Sequence, residues 1–344
     1  MDLTEDTPFQ VLRRTWQPVA LSRDLDPGGV VGYTLLGEPL AVARFEDGTL
    51  LATRDACPHK GMALSCGHVA EGRLTCSYHG WQWGEDGACV GVPSLTDPPQ
   101  RLLDNASLET FGVQERYGMV WVKLDPEEAA PIPDVPEFEG AGGWQTLLPE
   151  PMAFACGFRR EIENYLDMTH FAFAHGTTLG AAADVVLPPM EINRFDDGFE
   201  MRAPFPSVKA PGRTPTKLQS AHQRHQRCYL PNVTTIRQTF EDGDERMLVH
   251  VPSPNTPTSC TVFWLLAQPA DFDGPPLHDQ VAFSTAVLEE DRFMCERQRP
   301  REVPISPGRG GWGVLVSPGD TLANTFQKSF RGFLQAHLAD ASAA

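Results

Sequence analysis

At 344 residues the chain is longer than one hydrophobic core usually supports, so two domains are expected, and an apolar fraction of 41% is enough to fill them. Against 28 Lys and Arg stand 45 Asp and Glu; the formal charge of -17, with no basic run to offset it locally, excludes nucleic acid and anionic membrane as partners. The acidic start MDLTEDTPFQ lacks a leader-like apolar segment, the longest apolar stretch (residues 262–267) is far too short to span a bilayer, and 8 cysteines are too few for a disulfide scaffold, so a cytoplasmic protein is expected.

The first half reads as short runs of β character, Val30 to Leu36, Leu40 to Phe45 and Leu50 to Arg54, broken by Gly, Asp and Pro. That pattern predicts a small antiparallel β domain, closed by a run from Tyr117 to Leu124. The segment PEEAAPIPDVPEFEG, Pro-rich and acidic, marks the junction, so the domains are expected at 1–130 and 131–344. Beyond it the spacing predicts a helix from Arg160 to about Ala174, strands that include Met247 to Val251 and Thr261 to Ala267, and a helix near Asp279 to Arg299. The class is therefore α+β. No repeat and no phosphate-cradling Gly-rich loop is present, so any reduced nicotinamide or flavin must sit on another protein.

Within the first domain, residues 57–81 read CPHKGMALSCGHVAEGRLTCSYHGW. Cys57 and His59 form C-x-H, sixteen residues intervene, and Cys76 and His79 form C-x2-H. Two Cys and two His suit either one zinc ion or a [2Fe-2S] cluster with both histidines on one iron. Zinc fingers usually place both cysteines on one knuckle and both histidines on a helix. Here each loop offers one of each, which favours two loops clamping a bridged iron pair. Cys66, His68 and Cys89 break that pairing and read as structural residues, small core filler above all. Arg54, Lys60 and Arg73 flank the ligands as a docking surface for an acidic electron donor or as solvated loop charge.

The second constellation is EIENYLDMTHFAFAHGTTLG, in which Asn164, Asp167 and His170 recur every three residues, along one face of the expected helix. His175 follows five residues later, and a five-residue step turns an ideal helix by about 500°, so one ion binds both imidazoles only if the helix bends, bulges or ends between them. A third ligand would complete a 2-His-1-carboxylate set with positions open for dioxygen and substrate. On the late helix VAFSTAVLEEDRFMCERQR, the apolar positions Phe283, Val287 and Met294 turn both Glu290 and Asp291 inward, and periodicity does not choose between them.

The first motif resembles the Rieske signature, including Pro58 after the first cysteine and Gly80-Trp81 after the second histidine. The second resembles the N-x2-D-x2-H-x4-H pattern of Rieske non-haem iron oxygenases, matched one for one by Asn164, Asp167, His170 and His175. The resemblance implies a Rieske domain followed by a helix-grip (START-like) catalytic domain with an antiparallel sheet and a long helix. It implies a [2Fe-2S] cluster on Cys57, His59, Cys76 and His79, and one Fe(II) on His170, His175 and Asp291, the Asp of the family's ED pair. It implies that Asp167, with Asn164 in the same motif, serves catalysis by joining His170 to His79 of the next subunit in a head-to-tail homotrimer.

Electrons would come from a separate NAD(P)H-dependent reductase or a ferredoxin. Length and the lack of obvious insertions resemble the single-subunit monooxygenases and demethylases, the dicamba and vanillate O-demethylase type, more than the ring-dihydroxylating enzymes. A small, aromatic or cyclic substrate is expected, with His250, Phe263 and Trp264 as candidate contacts. His222, Arg224, His225 and Arg227 could orient an anionic group, though a solvated strand edge accounts for them as well. A plain electron-transfer Rieske protein and a zinc-stabilised binding module are the readings from other classes.

Overall fold

The computed structural model describes residues 3–176, 178–179, 186–204, 217–305 and 315–341. The chain divides into two compact units, Leu12–Pro131 and, with residues 3–11, everything from Ile132 onward. The junction lies in the Pro-rich acidic segment. The first residues group with the C-terminal unit, where the Glu5 carboxylate accepts hydrogen bonds from the Ile305 amide at 3.1 and 3.2 Å.

Helix α1 (Thr7–Leu12) precedes strands β1 (Gln17–Leu21), β2 (Val30–Leu35), β3 (Glu38–Arg44), β4 (Leu50–Arg54), β5 (His68–Ala70), β6 (Arg73–Thr75), β7 (Gln82–Trp83) and β8 (Cys89–Gly91). Helix α2 (Gln100–Asn105), β9 (Thr110–Arg116) and β10 (Met119–Lys123) complete the first unit. Its larger antiparallel sheet runs β1-β10-β9-β4-β3-β2, and the smaller runs β5-β6-β7-β8. The last strand starts at Met119, two residues later than expected. Tyr117 and Gly118 have φ of 56° and 71°, both positive as a two-residue type I′ hairpin requires, so they form the β9–β10 turn instead. Phe45, Leu64, Leu74 and Trp83, none of them exposed, pack in one core cluster with Cys57 and Cys76. The smaller sheet is thus anchored directly beneath the cysteine-histidine loops.

In the second unit β11 (Trp144–Leu147), β12 (Met152–Phe154), β13 (Glu191–Phe195), β14 (Gly198–Pro204), β15 (Gln223–Tyr229), β16 (Val233–Thr239), β17 (Glu245–Thr256) and β18 (Ser259–Pro269) form one antiparallel sheet. Its order among the described residues is β11-β18-β17-β16-β15-β14-β13, with β12 also on β18. Helices α3 (Phe158–Leu166), α4 (Phe171–Ala174), α5 (Leu277–Cys295) and α6 (Thr321–Ala341) accompany it, with α3 against β17 and β18 and α5 against β11 and β18. A long helix held on one face of a broad antiparallel sheet is the α+β arrangement expected. Among the described residues no helix is long and apolar enough to cross a membrane.

Two helix expectations need correction. The single helix from Arg160 to Ala174 is two, because Asp167 leaves the helix with φ -80° and ψ 130°. Its Oδ1 accepts from the backbone N–H and the hydroxyl of Thr169, both at 2.6 Å, which satisfies groups a continuing helix would have bonded otherwise. Asn164, Asp167 and His170 therefore do not share one helix face. On α5 the buried stripe is Leu277, Gln280, Ser284, Leu288, Asp291 and Cys295, while Met294 is exposed. Polar residues occupy half of that stripe because it faces a site rather than a core.

Candidate active site

The two cysteine-histidine loops repeat one local design. The Cys57 amide donates to Met62 O at 2.7 Å and the Gly61 amide back to Cys57 O at 2.8 Å; the Cys76 amide donates to Trp81 O at 2.9 Å and the Gly80 amide back to Cys76 O at 3.0 Å. Gly61 and Gly80 both sit at positive φ, 73° and 72°, which closes each loop at the cost least felt by glycine. The loops bring the His59 and His79 rings to 4.5 Å between centroids, and the Trp81 ring stacks on His59 at 4.6 Å. Burial first, then contact with Cys76, pushes the Cys57 thiol up. Burial, His79 and Lys60 push the His59 imidazole down, and its Nδ1 is buried without a hydrogen-bond partner. A neutral ring with an unpartnered inward nitrogen, beside paired buried thiols, fits a metal cluster and is costly without one.

The other candidates of this unit separate. Cys66 and His68 are exposed rather than core filler, and Cys89 is buried, with its thiol near Gly91 O. Arg54 is committed to Glu109 at 2.8 Å and Glu38 at 3.2 Å, and Arg73 donates to Gln82 at 3.2 Å, while Lys60 is exposed.

In the C-terminal unit, α4 carries His170 just before its first residue and His175 just after its last. The helix break before His170 and the end of α4 at His175 answer the five-residue problem, and both rings turn the same way. The Nε2 atoms lie 3.0 Å apart, and Asp291 Oδ1 from α5 lies 3.3 Å from one and 3.2 Å from the other. Outer partners hold this pose: His170 Nδ1 meets Asp167 Oδ2 at 3.3 Å, and His175 Nδ1 meets Glu290 Oε2 at 2.8 Å, to which the Thr178 hydroxyl also donates at 2.6 Å.

With each Nδ1 turned to a carboxylate, both Nε2 atoms face each other and Asp291. Burial opposes charge on His170, yet hydrogen bonds to Asp167 and Asp291 outweigh it and raise its pKa to about 9. Burial likewise opposes charge on Asp291, and the two histidines still lower it to about 2. The site favours positive charge between the three donors, carried by a proton on His170 or by a metal ion. Donor edges of this length match one face of a coordination sphere with bonds of about 2.1 Å, the facial arrangement of non-haem iron sites.

The donor triangle opens into a cavity lined mainly by apolar and aromatic side chains with a few polar groups, the makeup of a small-molecule site. Asn164, His250 and Trp264 line it, with Tyr165, Phe171 and Phe283. His250 Nδ1 is held by Glu161 Oε1 at 2.8 Å and its ring stacks on Tyr165 at 3.6 Å; Trp264 Nε1 donates to Glu150 O at 2.9 Å. Phe263 does not line the cavity. Strand residues alternate between faces, so Phe263, next to Trp264 on β18, is buried on the opposite side of the sheet.

Several cavity or ligand-holding residues escaped the sequence reading in whole or part. Glu290 was inseparable from Asp291, and Tyr165, Gln238 and Arg246 carried no motif. Arg224 is no solvated edge: β15 lies between β14 and β16, and Arg224 is 2% exposed and lines the cavity. The neighbouring His225 and Arg227 face the other side, near Glu200 at 3.0 and 3.5 Å, and His222 precedes the strand. A signal existed, since polar residues two apart in QRHQRCY keep one face, but that strand is polar on both faces and parity alone does not tell which is buried.

Comparison with known proteins agrees with this layout. Residues 15–111 match the Rieske [2Fe-2S] domain, and residues 154–337 match the vanillate O-demethylase oxygenase C-terminal domain. Methylxanthine N1-demethylase NdmA of Pseudomonas putida is 30% identical over 337 residues, which is 95% of this chain and 91% of that protein. The structure of Pseudomonas putida NdmA with caffeine superposes with a TM-score of 0.83 at 26% identity, over 97% of this chain and 94% of the other. Dicamba monooxygenase bound to dicamba shares the fold, with a TM-score of 0.79 at 23% identity over 95% and 99% of the two chains.

Proposed function

The chain belongs to the Rieske non-haem iron oxygenases and is an oxygenase component of their monooxygenase and demethylase type; from that premise we propose its ligands, electron supply and substrate chemistry. Cys57, His59, Cys76 and His79 hold one [2Fe-2S] cluster, and His170, His175 and Asp291 hold one Fe(II). The cluster supplies single electrons and the iron activates dioxygen when both are bound. Electrons reach the cluster from a separate NAD(P)H-dependent reductase or ferredoxin. The substrate is a small aromatic or cyclic compound that is hydroxylated or loses a methyl group. The observation that carries this reading is the convergence of three donor atoms, 3.0 to 3.3 Å apart, at the wall of an aromatic-lined cavity.

The chain's own residues position and shield. Asp167 and Glu290 keep each imidazole in the tautomer that turns Nε2 inward. Tyr165, Phe171, Phe283 and Trp264 offer flat apolar walls that suit a ring and exclude water. Asp167 joins His170 to His79 of an adjacent copy, which makes the working form a cytoplasmic homotrimer. Light scattering at three times the chain mass supports that assembly, and a monomer at working concentration rules it out.

Product mass tests the reaction. Anaerobically purified protein with a surrogate reductase, NADH and labelled dioxygen is offered methoxylated, N-methylated and methyl-arene compounds. One labelled oxygen in the product, or formaldehyde with a demethylated ring, supports the reading; a cis-diol with two labelled atoms replaces it with dihydroxylation. Glu290→Gln tests the outer partner. It keeps the fold but weakens the bond that orients His175, so iron affinity and turnover are expected to fall by roughly 10–100-fold. Metal analysis and formaldehyde release measure both, and unchanged values mean that Glu290 does not orient the ligand.

A further inference from the structure

Two arginines line the cavity, and neither meets a carboxylate among the described residues. In the sheet's register Arg224 on β15 stands opposite Gln238 on β16, which stands opposite Arg246 on β17, so the three form one cross-strand row on the cavity face. Arg224 is 2% and Arg246 4% exposed. Arg224 donates to Gln226 Oε1 from Nε at 3.1 Å and from Nη2 at 2.7 Å, and from Nη2 to Tyr165 O at 2.9 Å. Arg246 donates from Nε to Gln238 Oε1 at 2.5 Å and from Nη1 to Gln280 Oε1 at 3.2 Å. Every one of these acceptors is a neutral amide.

Among the described residues no nearby carboxylate reaches either guanidinium: Glu161 holds His250 through Oε1 and leaves Oε2 unpartnered, Asp291 lies on the two histidines, and Asp167 and Asp291 act on Arg224 only through space. Burial lowers both guanidinium pKa values to about 10, which leaves each arginine charged at neutral pH. Arg224 Nη1 and Arg246 Nη2 donate to no described residue, and the buried Tyr165 hydroxyl, on the same cavity wall, has no partner either. A buried cation held only by amides is costly unless something brings the opposite charge. Folding alone gains nothing from two of them on one cavity face.

The row is also placed for a second purpose. Gln280, which holds Arg246, precedes Asp291 by eleven residues on α5. That is about 16 Å of helix, so Arg246 marks the end of the cavity away from the donor triangle. Arg224 is nearer, with its guanidinium 5.4 Å from the ring of Phe171, the residue after His170. Two positions along the strands from the arginine row, the same face presents Ile236 and Leu248, an apolar strip on which a ring can lie.

We propose that the substrate is an oxyanion, a ring compound bearing a carboxylate or sulfonate that pairs with Arg224 and Arg246 while its oxidisable carbon faces the donor triangle. The assignment rests on the oxygenase reading of the same site. It names the substrate class that the aromatic lining leaves open.

Equilibrium binding to the loaded protein without a reductase tests it apart from catalysis, using 3-methoxybenzoate against 3-methoxybenzamide and 4-methylbenzenesulfonate against 4-methylbenzenesulfonamide. At least one anion is expected to bind tenfold or more tightly than its amide. Arg246→Gln and Arg224→Gln are each expected to cut that preference to threefold or less, with cluster absorbance and iron content unchanged, and Arg246→Lys to keep part of it. Amides binding as tightly as acids, no anion binding, or a preference that survives both Gln variants overturns the proposal. Should a variant lose iron or cluster, the wild-type ratio and Arg246→Lys decide. Formaldehyde and oxygen uptake separate the two readings. An anion bound through the arginines but never oxidised sinks the oxygenase reading alone, and demethylation of a neutral ring unaffected by both Gln variants sinks the anion proposal alone.

Discussion

Asp291→Ala is expected to empty the mononuclear site while leaving the cluster domain intact. Asp291 is 8% exposed and places Oδ1 within 3.3 Å of both Nε2 atoms, so its loss removes one donor of three and the negative charge that offsets the metal's own. Two neutral imidazoles remain, a weak set for Fe(II) against competition from water. Loss of several kcal/mol of metal-dependent stabilisation corresponds to about 10³-fold or more in turnover. The cluster ligands lie in a separate compact unit, so visible absorbance of the cluster should match wild type. Iron counted per chain, with formaldehyde or product release, checks both halves. Full iron occupancy with normal turnover would remove Asp291 from the ligand set and favour a plain electron-transfer protein.

Asp167→Ala is expected to separate electron delivery from metal binding. Asp167 touches His170 Nδ1 at 3.3 Å through one oxygen and bonds Thr169 twice through the other, so it is both the orienter of a ligand and the residue that shapes the helix break. Loss of an outer partner of a metal histidine alone costs roughly 10–100-fold. If the same carboxylate also links His170 to His79 of an adjacent copy, turnover falls by more than iron affinity does. Rapid mixing of the prereduced protein with substrate and oxygen reads the difference: the cluster should stay reduced in the variant at saturating iron. Reoxidation at the wild-type rate would reduce Asp167 to a local structural role. Asp167→Asn, which keeps the Thr169 bonds through its carbonyl oxygen, guards against mistaking a misfolded loop for a broken electron path.

The legible parts of this protein are those whose chemistry is local. Cys57, His59, Cys76 and His79 lie in two loops closed by their own backbone hydrogen bonds, and each loop's sequence carries its candidate ligands, its turn glycine and its pairing. His170 and His175 are five residues apart, and that spacing already required an interruption of the helix. Where it falls was not legible, because the break depends on Asp167 bonding Thr169 instead of continuing the helix.

Across the chain, parity and periodicity weakened as evidence. Strand β18 reads TVFWLLA and is buried on both faces, so alternation separates Phe263 from Trp264 without saying which one meets the cavity. On α5 Met294 sits at an apolar period yet is exposed, and Glu290 and Asp291, neighbours on the helix, divide two tasks: one holds a ring nitrogen from outside, the other joins the donor triangle.

By itself the sequence determined the α+β class and which cysteines and histidines are candidates to bind metal, because ligand chemistry and loop closure act within a few residues. Only the tertiary structure decided which late acid meets the histidines, which strand face lines the cavity, and that Arg224, Gln238 and Arg246 stand in one row. Those outcomes depend on register and packing between segments up to 100 residues and more apart, where the free energy of one side chain depends on neighbours its own sequence does not name.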